Sequence, residues 1–92
     1  MANYNIIGEY KDDKGITYVS NTNPVCWVDH EYLAKNYEYL YEAINDIQSN
    51  YRTFKITILG TDIKYISVLN TNSREIIPVI DYKGELLIDD DD

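Results

Sequence analysis

Histidine and cysteine each occur once in this chain, at His30 and Cys26, and basic residues are outnumbered two to one by acids. A single cysteine excludes an intramolecular disulfide framework and makes a reducing compartment the expectation. One cysteine and one histidine, with no CxxC or HxxxH spacing, do not supply the three or four ligands that zinc requires. The four glycines stand singly at Gly8, Gly15, Gly60 and Gly84, so neither GxGxxG nor GxxxxGK[ST] occurs and no phosphate-cradling loop is encoded. With only eight Lys and Arg against sixteen acids, it shows no strongly basic face with which to neutralise nucleic-acid phosphates. No run approaches the roughly 20 apolar residues of a helical membrane span. Met1 to Asn5 shows neither a basic nor an apolar signal region. These absences predict a protein that is not an enzyme, holds no cofactor or metal, and binds neither nucleic acid nor membrane directly.

What is present is acid, placed unevenly. Of the net charge of −8, the segment from Asp29 to Asn50 contributes −4, five acids against Lys35 alone. The terminal Asp89, Asp90, Asp91 and Asp92 contribute the other −4, and the rest of the 92 residues sums to zero. A concentrated acidic face is a candidate docking surface for a basic partner, whereas a contiguous Asp run is ordinarily a solvated tail. Abundant Ile, Val, Leu and Tyr argue against disorder. The length implies one domain, taken as residues 1–88, followed by the acidic tail 89–92.

Alternation at Tyr4, Ile6 and Tyr10, the turn signal Lys11 to Gly15 and the β-branched run Ile16 to Ser20 predict an N-terminal hairpin. The dipeptide Asn23-Pro24 ends it. Asp29 is a good helix N-cap, and Leu33, Tyr37, Leu40, Ile44, Ile47 and Tyr51 recur at helical spacing, so one helix is expected from Asp29 to about Tyr51. Beyond it, strands are expected at Phe54 to Leu59, Ile63 to Leu69 and Glu75 to Ile80, with Pro78 placing the last at an edge, and a short one at Glu85 to Ile88. The predicted fold is α+β, ββαβββ(β): a single helix packed on a curved, mainly antiparallel sheet of five or six strands. Apolar residues on both strand faces imply that the second face is partly covered as well.

On that helix, Glu31, Glu38, Glu42 and Asp46 would share the face opposite the apolar stripe. The steps from Glu38 to Glu42 and from Glu42 to Asp46 would each be about 6 Å, near the spacing of roughly 6–7 Å between phosphates of a nucleic-acid strand. Tyr32 and Tyr39 would flank the acids on one side and Tyr41 on the other. Tyrosine is enriched at protein interfaces because it offers a large rigid area with a polar tip. In size, charge and AT-rich composition the chain resembles small acidic anti-CRISPR and restriction-inhibiting proteins, with no motif behind the resemblance. It implies a DNA-mimicking inhibitor from a phage or mobile element, cytoplasmic in the host bacterium, that blocks a nucleic-acid-binding site of a defence nuclease complex. The alternatives are an immunity protein or antitoxin against a basic nuclease toxin, and a phage structural or assembly protein. A Cys26/His30 pair, four residues apart, is the one weak catalytic constellation, and Cys26 reads better as a small core hydrophobe.

Overall fold

A computed structural model describes residues 3–87, so Ile88 and the Asp89 to Asp92 tail lie outside the described residues. The fold is α+β, with five antiparallel strands and two helices: β1 (Tyr4–Tyr10), β2 (Ile16–Thr22), β3 (Val25–Val28), α1 (Leu40–Ser49), α2 (Tyr51–Gly60), β4 (Ile63–Asn70) and β5 (Ile76–Ile80). The sheet order is β3-β2-β1-β4-β5. The N-terminal hairpin forms as its alternation predicts. Ile7 stands opposite Tyr18, and Gly8 opposite Thr17.

Period-two alternation sorts the strand residues onto two faces. Ile6, Val19, Ile66, Val68 and Ile80, joined by Val79 at the β4–β5 bulge, face the helices and pack with Ala43 and Ile47 of α1 and with Phe54 and Ile58 of α2. Ile7, Tyr18 and Leu69 point the other way, where Ala34 packs on them together with Ile16 and Val28. The second face is therefore partly covered by this chain's own connection between β3 and α1.

Four assignments differ from the expected order. There is not one helix from Asp29 but two helices, starting at Leu40 and meeting at Asn50, which ends α1 and precedes α2. The run Phe54 to Leu59 is helical: Phe54 and Ile58, one turn apart, are buried while Ile56 between them is exposed, the burial spacing of a helix rather than a strand. The apolar run Val25 to Val28 is a strand, hydrogen-bonded to β2 across a bulge between Val19 and Asn21. With it the sheet has five strands although the Phe54 segment is helical. Glu85 to Leu87 forms no strand and contributes one isolated bridge, from Leu86 to Ile80.

Both sheet edges are blunted. β3 has only four residues, and short edge strands template poorly. On β5, Pro78 has no N–H to offer, and the Val79 carbonyl is already taken by the Leu87 N–H at 2.7 Å. That leaves little of β5 for pairing with a sister chain, which weighs against assembly through Glu75 to Ile80.

Gly8 marks the tightest approach in the helix-side core. A Cβ built there would stand 3.0 Å from the Trp27 ring and 3.2 Å from Ile63. The Trp27 ring in turn meets Phe54 edge-on at 6.0 Å, which blocks its retreat on that side. Gly8→Val is expected to destabilise the fold by about 1–3 kcal/mol through overpacking. The check is a lower urea midpoint at unchanged slope.

Candidate protein-docking site

The expected acidic helix face lies mostly on a segment that is not helical, and the reason is the sheet. The β1–β2 pairing ends at Ile7 and Tyr18 while β2 continues against β3, leaving backbone groups of Tyr4 and Val19 open at that end. The chain between β3 and α1 fills the gap. The Lys35 N–H donates to the Val19 carbonyl at 3.0 Å, and Tyr37 exchanges two hydrogen bonds of 2.8 Å with Tyr4. Asn5, fully buried, donates from Nδ2 to the Lys35 carbonyl and to Asn36 Oδ1, each at 3.0 Å. Helical geometry through residues 29–39 would forfeit these bonds, and open backbone groups at a buried site are costly. Ala34 consequently lies on the second face of the sheet, while Tyr37 reaches the helix-side core.

The anticipated acids have different duties. Glu31 stands in a short 3-10 turn, Glu31–Leu33, and both its carboxylate oxygens accept from Arg74 Nη1 at 3.1 Å. Glu42 caps its own helix: Oε1 accepts from the Tyr39 N–H at 3.2 Å, and the Glu42 N–H donates to the Tyr39 carbonyl at 3.1 Å. A carboxylate there also complements the helix dipole. Glu38 is exposed and has no hydrogen bond or ion pair among the described residues. Leu33, expected in the core, is 48% exposed.

Asp46 is the largest departure. It faces inward between α1 and the β2 end of the sheet. Its Oδ2 accepts from Thr22 Oγ1 at 2.9 Å and from the Tyr37 hydroxyl, and it pairs with Lys35 Nζ at 3.5 Å. Burial raises its pKa, but the hydrogen bonds from Tyr37 and Thr22 and the Lys35 charge outweigh burial and hold the carboxyl below its ordinary value. For Tyr37, burial, then the bond to Asp46 and its charge, push the phenol well above the usual tyrosine range. This cluster is a structural tie that commits the Asp46 carboxylate to partners within the fold, with 23% of the side chain left exposed. Thr22 and Lys35 were not legible as its partners, because only the fold brings β2 and the crossing segment to α1.

The tyrosines remain available. Tyr39 and Tyr41 are 51% and 61% exposed and lie face to face, ring centroids 5.5 Å apart and planes 18° from parallel. Glu38 precedes this pair and Glu42 follows it, so Glu38, Tyr39, Tyr41 and Glu42 form one contiguous patch at the start of α1. Tyr32 stands elsewhere, stacked on His30 at 5.5 Å. With His30, Glu31, Asn36, Asn3 and Thr71 it lines an open groove of about 500 Å³. The structure thus divides the anticipated site between two places, and the phosphate-spaced ladder is absent, since Glu31 and Glu38 lie outside the helix and Asp46 points in.

Cys26 is exposed on β3 and does not line the groove that holds His30. Among the described residues no group of three or more His, Cys, Asp or Glu could hold a metal ion, and no helix is long and apolar enough to cross a membrane. Comparison with family models, with curated proteins and with solved structures gives no match.

Proposed function

We propose that this protein is a small binding inhibitor whose docking surface is the patch Glu38, Tyr39, Tyr41 and Glu42, and whose target is a basic, nucleic-acid-binding groove on another protein. A host defence nuclease challenged by a phage or mobile element is the target class that its acidity suits best. The observation behind this reading is the stacked, more than half-exposed tyrosine pair bracketed by carboxylates. A rigid pair of rings presents contact area at low entropic cost, and tyrosine ranks among the residues that dominate interface energetics. The two acids set register and raise the association rate against Lys and Arg on the partner. Mimicry of this kind rests on a compact acidic-aromatic plug rather than on a ladder of phosphate-spaced charges. Tyr32 and Glu31 belong to the separate groove and are not required by it.

The test is DNA cleavage by a panel of purified RNA-guided and restriction nucleases in the presence of this protein. At least one nuclease is expected to be inhibited. Its inhibition should weaken at least about tenfold in Glu38→Gln/Tyr39→Ala/Tyr41→Ala, as loss of an interface hot spot of about 1.4 kcal/mol or more requires. Inhibition by the triple variant equal to that of the parent, with the fold intact, would sink the docking surface. A panel without any inhibited nuclease would sink the target class.

A further inference from the structure

The helical layer has a second outward face, opposite in character to the first. At 100° per residue, Phe54, Ile58 and Tyr51 point α2 into the core, Ile56 points away from it, and Arg52, Leu59 and Lys55 follow in that order round one flank toward Tyr51. Ile56 and Leu59 are each 64% exposed, the most exposed aliphatic side chains among the described residues. No acid occurs in α2, so in a chain of net charge −8 this helix is locally +2. Neither base is ion-paired among the described residues: Lys55 lies along Gly84 with its amine 5.8 Å from the Tyr51 ring, and Arg52 has no partner. The neighbouring loop carries two acids and Lys83: Asp81 turns its carboxylate onto the Lys83 and Glu85 N–H groups, each at 2.9 Å, and Glu85 is exposed beside Gly84.

The complement to this face is on the same molecule. The α1 patch offers two acids and two exposed tyrosines; the α2 face offers two bases and two exposed aliphatics. Both look outward from one layer, because α1 and α2 cover the same side of the sheet. We infer that two copies of this chain pair through their helical layers about a twofold axis, the Glu38–Glu42 patch of each copy seated on the Arg52–Leu59 face of the other. In such an isologous contact every attraction is made twice. Each tyrosine ring can lie against an aliphatic side chain while its π-face meets Arg52 or Lys55. The inference rests on the same acidic-aromatic surface as the proposed function, but not on any nuclease. A dimer would hold that surface covered until a partner with a better basic groove displaced the sister copy.

Charge exchange tests it without a nuclease assay. Sedimentation at about 0.15 M salt, where charges beyond about 8 Å are screened, should give a mass that rises from 10.8 kDa toward twice that value between micromolar and millimolar protein. Glu38→Lys alone and Arg52→Glu/Lys55→Glu alone should each weaken association at least about tenfold. Glu42 is left in place because it caps α1. Mixed one to one, the two variants should associate again, since the reversed acid of one now meets the reversed bases of the other while the second contact keeps its native charges. Circular dichroism confirms that each variant is folded. A parent that stays at 10.8 kDa throughout overturns the dimer. So does association that ignores both reversals, or a mixture that fails to recover. Binding of the parent to phosphatidylserine vesicles, lost in Arg52→Glu/Lys55→Glu while the mass stays monomeric, would give the α2 face to an anionic membrane and overturn the inference as well.

Discussion

Phe54→Ala is expected to lower the stability of this domain by about 3–5 kcal/mol, a large part of the roughly 5–15 kcal/mol that holds a domain of this size together. Phe54 is fully buried and is the largest such side chain, wedged between the sheet and the edge of Trp27. Its removal leaves a cavity in the core cluster formed by the strands and both helices, which closes around it only in part. The melting temperature should fall by at least about 12 °C. Ile56→Ala, two residues away, should change stability by less than about 0.5 kcal/mol, because alanine favours the helix and Ile56 is mostly solvated. Had this segment been the strand its composition suggests, Phe54, Ile56 and Ile58 would share one buried face and Ile56→Ala would cost a substantial fraction of what Phe54→Ala costs. Urea unfolding of the two variants side by side separates the alternatives, and similar losses for both would overturn α2.

That segment shows where sequence and structure part. Phe54-Lys55-Ile56-Thr57-Ile58-Leu59 alternates apolar with polar and is rich in β-branched residues, so local propensity favours a strand. The decision was made elsewhere. With β3 already built from Val25 to Val28, a five-stranded sheet needs cover, and α1 with its ten residues is too short to cover it alone. Tertiary burial of Phe54 and Ile58 on one helical side outweighs the propensity. Elements whose periodicity and turn chemistry agree, the β1–β2 hairpin and β4, were legible from residues alone. β5 was legible too, because Pro78 announced an edge.

The candidate site was legible by residue type and not by geometry. Tyr39 and Tyr41 are exposed as their flank positions suggested, and Glu38 is a free surface acid. The helix from Asp29 was not there to align them. A periodic stripe from Leu33 to Tyr51 is a real pattern, but only its later members sit on α1 or α2, and Tyr37 reaches the core from an extended segment instead. Pattern-reading assumes that backbone groups are satisfied within the element. Here the end of β1–β2 pairing at Tyr18 left acceptors and donors on the sheet that only a non-helical chain could meet.

Asp46→Ala is the second large effect, expected to cost about 2–4 kcal/mol, since it strips the acceptor from a buried tyrosine hydroxyl and a buried threonine hydroxyl at once. Tyr37→Phe should cost less, roughly 0.5–1.5 kcal/mol, as the carboxylate keeps Thr22 and Lys35. In the double variant the losses should fall short of additive by roughly 1 kcal/mol, the mark of a shared network. The pH dependence follows from the direction of each shift. Asp46 has a folded pKa below its unfolded value of 3.8, so its contribution is present above about pH 4. It is lost as acid brings the pH down through the folded pKa. Tyr37 is shifted the opposite way, so its contribution is complete below its unfolded value of 10.0 and declines as the pH rises past it. Urea midpoints measured across pH should therefore fall at both ends in the parent, and Asp46→Asn should flatten the acidic slope relative to it. A parent and an Asp46→Asn variant with parallel acid profiles would mean that the carboxylate is not the tie between α1, β2 and the crossing segment. The proposed docking patch would then lack its anchor, because Tyr37 and Asp46 between them fix the chain on either side of Tyr39 and Tyr41.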